Sequence, residues 1–115
     1  MAVLEDTMSK ITIAQATKLL DELVMVLEDV YWEANELVVK DEVFATIRLL
    51  SAELTELQKV SVQDDHYDYE VISTKSSVLR DSVKGIQENV LPRILRTQTK
   101  QKLIPYLDNG MEAFA

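Results

Sequence analysis

The 115-residue sequence contains no cysteine, two glycines, two prolines, one histidine and one tryptophan. Without cysteine there is no disulfide scaffold, no thiolate zinc site and no cysteine nucleophile, which fits a reducing compartment. Serine-type hydrolysis needs a histidine beside a strained elbow, and no Gly-x-Ser-x-Gly occurs. A glycine loop that cradles phosphates is equally absent. Apolar runs never exceed a few residues, far below the ~20 needed to cross a bilayer. The start, Met1-Ala-Val-Leu-Glu5-Asp6, puts an acidic pair where a secretion signal needs a basic one. The expectation is a cytoplasmic protein with no membrane partner.

What is present points to one domain. Hydrophobic residues make up 47% of the chain and charged residues 28%, enough for a single core that buries roughly two thirds of the unfolded surface. The net charge of −8 is unevenly spread: residues 1–70 hold 16 acids against 5 bases, and residues 71–115 hold 4 against 7. Phosphate would be repelled by the first part, so general nucleic-acid binding is disfavoured.

With breakers so scarce, periodicity is the main signal. Thr12 and Gln15 have capping-box spacing, which starts a first helix there. Ile13, Ala16, Leu20, Leu23, Leu27, Val30, Ala34 and Leu37 then step by threes and fours along one seam. A helix over residues 13–38 would be roughly 39 Å long. Val43, Ile47, Leu50, Leu54 and Leu57 form a second, offset seam, so a turn is expected between about 38 and 42 with Asp41 as cap; one long first helix is the alternative. The polar run Ser61–His66 is the next connection. A third seam reads Tyr69, Ile72, Ser76, Leu79, Val83, Ile86 and Val90. Pro92 suits either the first turn of a fourth helix or a kink in a continuing one. That helix carries Ile94, Leu95, Leu103 and Ile104, and Asn109-Gly110 is read as its stop. The resulting fold class is an all-α, up-down four-helix bundle with an N-terminal arm over 1–11 and a C-terminal tail over 109–115.

Three groups of residues could carry chemistry. The His66 segment, Asp64-Asp65-His66-Tyr67-Asp68, has metal-ligand types but neither the glycine nor the distal glutamate of a calcium loop, and reads as a solvated connection. Glu33-Ala-Asn-Glu36 and Glu53-Leu-Thr-Glu56 are two Glu-x-x-Glu pairs on neighbouring helices. This arrangement resembles the all-α nucleoside triphosphate pyrophosphohydrolases, although Trp32 stands where that family usually has a further glutamate and Glu56 replaces an aspartate. The resemblance implies magnesium held by Glu33, Glu36, Glu53 and Glu56, and release of pyrophosphate from nucleotides. Asp81-Ser-Val-Lys84-Gly85 resembles the His-x-x-Lys-Gly of histidine phosphotransfer bundles, but Asp81 in the acceptor position removes that chemistry.

The first helix is apolar on two faces. Leu19, Val24, Val26, Tyr31 and Val38 widen its buried stripe, and Met25, Trp32 and Val39 recur at seven-residue intervals on the opposite side. Asp21, Glu22, Glu28, Asp29 and Glu36 border them. An apolar stripe with Trp and Met inside a charged rim has the composition of a protein interface; the alternative is asymmetric packing with Trp32 in the core. Arg93, Arg96, Lys100 and Lys102 form a basic segment that a second copy could present to that rim, so a homodimer is the economical expectation. The same segment permits an anion or nucleic-acid reading, weakened by the lack of interleaved aromatics. The leading expectation is a non-catalytic interaction protein of regulatory or assembly type that needs no cofactor, with the magnesium-dependent hydrolase as alternative.

Overall fold

The computed structural model describes residues 11–115. Most of the expected N-terminal arm lies outside the described residues. Four α-helices follow one another: α1 (Ile13–Glu33), α2 (Leu37–Gln58), α3 (Ser76–Gly85) and α4 (Thr97–Ala113). Helix α1 packs against α2 and α4, and α3 closes the bundle against both of those.

Helix α1 starts where the capping box places it. The Thr12 hydroxyl accepts from Gln15 N at 3.2 Å and the Gln15 amide oxygen accepts from Thr12 N at 2.9 Å, so two orphan donors are satisfied reciprocally. Its seam from Ala16 to Val30 is buried, with Leu20, Leu23 and Leu27 wholly inaccessible. No other helix buries as many residues.

The helix ends five residues earlier than its periodicity suggests. Ala34 and Glu36 adopt extended backbone, and the turn spans 34–36 in place of 38–42. Asp41 lies inside α2, whose N-cap is Glu36. Lys40 Nζ reaches back to the Tyr31 carbonyl, giving one of the unpaired C-terminal carbonyls of α1 a charged donor. The turn resets the phase of every later residue. Leu37, read as the last seam position, is therefore exposed, and Val39, read as part of an outward stripe, is buried.

The third helix begins later than expected, at Ser76 and not near Tyr69, because its first backbone donors are drawn sideways. Tyr69 N donates to Ile11 O at 2.8 Å, while Ile72 N and Ser73 N donate to the Glu53 carboxylate. Residues 59–75 consequently wrap over the start of α1, where Ile13 N and Ala14 N donate to the carbonyls of Tyr67 and Asp65. Beyond Gly85 the helical path widens into a π turn (Ile86–Val90) and tightens into a 3₁₀ turn (Leu91–Arg93) that contains Pro92. Leu91 N donates to Ile86 O, the wide spacing of a π turn, and Pro92 has no N–H with which to continue the ladder.

Asn109-Gly110 does not stop α4, and residues 109–113 are helix and not tail. No glycine has a positive φ. Gly110 is buried, and its Cα faces Val83 and Leu23 so closely that an added Cβ would lie 3.6 and 3.8 Å from them. These are ordinary contact distances, so the position has room for one methyl group, and Phe114 is buried just beyond.

Candidate functional site

Helices α1 and α2 run antiparallel, so the two Glu-x-x-Glu pairs end up at opposite ends of the hairpin. Seventeen residues separate Glu36 from Glu53, about 25 Å along the axis. The four carboxylates proposed from sequence to hold magnesium therefore do not converge. Among the described residues, no group of three or more His, Asp or Glu side chains is arranged to hold a metal.

Each pair has its own local role. Glu53 is fully buried and accepts from Tyr69 Oη at 2.5 Å, Ser73 Oγ at 2.7 Å, and the backbone N–H groups of Ile72 and Ser73 at 3.0 and 2.8 Å. Burial, the hydrogen bond to Glu53 and the nearby negative charge all push the Tyr69 phenol well above its ordinary pKa. Glu56 pairs with Lys59 on the surface. At the other end, Glu33 accepts from the Thr99 hydroxyl at 3.0 Å and Glu36 accepts from Arg93 at 2.8 Å. His66 is exposed and lies against Tyr67.

The basic segment also faces inward to the same chain. Arg93 is paired with Glu36, and Arg96 lies 4.0 Å from Glu33. Of this segment, the exposed Lys102 and the half-buried Lys100 form no ion pair among the described residues.

Exposed apolar side chains stand on the α1–α2 hairpin as well as at Val62, Tyr67, Ile72 and Leu95 outside it. Trp32 is 77% exposed and Met25 59%, whereas Val39, the third member of the expected stripe, is only 6% exposed. Trp32 meets the Tyr31 ring edge-on at a centroid distance of 5.2 Å, and Tyr31 in turn lies 6.2 Å from Phe44 of α2. Lys40 Nζ sits 4.4 Å from the Tyr31 centroid and 5.8 Å from that of Trp32, while the Arg48 guanidinium lies 6.0 Å from Phe44. Asp21, Glu28 and Asp29 are exposed and Glu22 is half-buried.

Three members of this surface went unread in the sequence, Leu37, Val38 and Phe44, and so did Leu95 in the segment before α4; all four are exposed. Leu37 and Val38 were assigned to the buried seam because nothing in the periodicity revealed the turn at 34–36. The offset second seam was the available signal, since it excludes Phe44. Around the turn, a cleft of about 430 Å³ is lined by Val30, Ala34, Val39, Ile94 and Leu95 together with the Glu36–Arg93 and Glu33–Arg96 pairs.

Among the described residues no helix is long and apolar enough to cross a membrane. The chain has no significant match to a protein-family model, to a curated protein or to a solved structure.

Proposed function

We propose that this chain is a non-catalytic protein-interaction domain, regulatory or assembly-related in role, which docks through the outer face of the α1–α2 hairpin. One observation carries the reading: Trp32, the single tryptophan, stands 77% exposed, two helical turns from the exposed Met25 and linked through the Tyr31 ring to the exposed Phe44. A large aromatic ring left in water near the end of a helix has the character of an interface anchor. A cysteine-free chain suits the cytoplasm, which belongs to the same reading.

The charge argument for a homodimer is weakened, because Arg93 and Arg96 already face Glu36 and Glu33 within one chain and only Lys100 and Lys102 of the basic segment are left to meet the rim of a second copy. We therefore assign the face to a different protein. The hydrolase alternative loses its geometry, because its acidic pairs stand about 25 Å apart.

The test is a pair of variants, Trp32→Glu and Trp32→Gln, the second removing the ring without adding charge to a helix C-terminus. Both are expected to keep the wild-type helicity, Trp32→Gln with a loss of stability no larger than about 0.5 kcal/mol by urea denaturation, and both are expected to lose partner capture from a host extract together with any self-association seen by light scattering. Unfolding of Trp32→Gln would mean that the ring is structural. Unchanged capture by both folded variants would place the docking surface elsewhere.

A further inference from the structure

We infer that the hairpin face takes a cationic amphipathic segment, in which apolar side chains meet Trp32, Met25 and Phe44 and flanking lysines or arginines meet the acidic rim. This rests on the docking reading above and adds the chemistry of the occupant.

The argument begins with helical register. Residues three and four apart on a helix are surface neighbours. Asp29 and Glu28 precede Trp32 by three and four, and the same two follow Met25 by four and three. Glu22 and Asp21 precede Met25 by three and four. Met25 is therefore enclosed by four carboxylates, and Trp32 is bounded by two of them on its N-terminal side. None of these four acids forms an ion pair among the described residues.

The nearby bases do not neutralise them. Lys40 is held over Tyr31 and Trp32 while it donates to the Tyr31 carbonyl, and Arg48 lies over Phe44. Lys18, the only base within α1, precedes Asp21 and Glu22 by three and four but forms no ion pair with either, and no base stands in register with Glu28 and Asp29 on α1. Around Met25 and the N-terminal side of Trp32 the face thus combines exposed apolar surface with carboxylates that no ion pair neutralises, and the partner that removes both costs is apolar in the middle and basic at its edge. A second copy docking face to face would set acid against acid. Nucleic acid and anionic membranes meet the same repulsion.

Trp32 supplies its own readout as the single tryptophan. The full chain is titrated, with tryptophan fluorescence, against a helical Leu/Lys amphipathic peptide, a Leu/Glu counterpart and a Lys/Ser peptide of equal charge. The Leu/Lys peptide is expected to shift the emission to the blue and saturate, and the affinity falls as salt rises. The double reversal Glu28→Lys, Asp29→Lys is expected to weaken it roughly tenfold or more. Reversal of two acids in the 59–75 segment, Asp64→Lys and Glu70→Lys, is expected to leave it unchanged.

Equal loss from both reversals, or equal binding of the Lys/Ser peptide, would reduce the effect to overall acidity and overturn the proposal. Saturable binding of the Leu/Glu peptide, an oligonucleotide or anionic vesicles would overturn it as well. A blue shift of the chain alone that grows with its concentration would assign the face to a second copy, overturning the cationic occupant while keeping the docking face. Failure of the docking reading itself is separate: both Trp32 variants would then still capture the partner.

Discussion

The two ends of the α1–α2 hairpin carry the same Glu-x-x-Glu pattern and do opposite things with it. At the end where α2 finishes, Glu53 lies inside the protein and gathers four donors from residues 69–73, and no buried side-chain N or O among the described residues lacks a partner. At the end where α1 turns into α2, Glu33 and Glu36 sit at the surface, paired with groups from α4 and the segment before it, beside Trp32, Leu37 and Leu95. One end is sealed and the other is open. Residue type and spacing are identical in the two pairs, so the difference comes from what the rest of the chain brings to each.

The sealed end should be the more sensitive. Glu53→Ala would strand the Tyr69 and Ser73 hydroxyls and two backbone N–H groups away from water, each an unmade hydrogen bond to a charged acceptor. The expected loss is about 3 kcal/mol or more. Glu53→Gln keeps an acceptor and should fall between that variant and wild type. Alanine at Glu36 or Glu56, both in surface pairs, should cost under about 1 kcal/mol. Urea denaturation of the set checks the order. A Glu36 effect as large as that of Glu53 would erase the contrast.

Tyr69→Phe removes one of those bonds and should cost about 2 kcal/mol. It also gives the contrast a pH signature. The folded phenol holds its proton above the ordinary tyrosine range because of burial first, then the bond to Glu53 and the nearby negative charge. Once pH passes about 10 the unfolded phenol ionises and the folded one does not, so the unfolded state binds fewer protons and stability falls as pH rises. That contribution is complete below the unfolded pKa and is lost on the way up to the folded one. The wild type should therefore lose stability above about pH 10 more steeply than Tyr69→Phe, by up to about 1.4 kcal/mol per pH unit. Parallel alkaline melts of the two proteins are the measurement.

Gly110→Ala should act in the other direction. The added methyl would meet Val83 and Leu23 at 3.6 and 3.8 Å, ordinary contact distances, and alanine is the better helix residue by up to about 1 kcal/mol. A rise in thermal midpoint is expected. A fall would mean that the close approach of α4 to α1 and α3 cannot absorb one methyl group.

Much of the bundle was legible from spacing alone. The capping box at Thr12 and the seam from Ala16 to Val30 are local features, decided within one or two helical turns, and both appear as read. The turn at 34–36 was not legible, because no glycine or proline marks it and because what stabilises it comes from elsewhere: Lys40 on the Tyr31 carbonyl and Arg93 on Glu36. Tyr69 and Ile72 continue a helical pattern, yet the backbone N–H of Tyr69 goes to Ile11 and that of Ile72 to Glu53, nineteen residues earlier. The surface around Trp32 was half legible for the same reason. Met25 and Trp32 precede the turn and stand outward, while Val39 follows it and is buried.

The smallest effect is expected at the open end, and its smallness is the point. Trp32→Gln removes an edge contact with Tyr31 and the outer part of the Lys40 interaction, both in contact with water, so the loss should stay near about 0.5 kcal/mol. A buried tryptophan would cost about 3–5 kcal/mol on truncation. Side chains of that size are seldom left in water without use, so a ring that contributes so little to its own fold must be accounted for by what it meets. If Trp32→Gln costs several kcal/mol, the ring belongs to the core, the two ends of the hairpin are alike, and the docking face has no anchor. If it costs almost nothing while the chain loses its partner, stability and binding are carried by opposite ends of the same two helices.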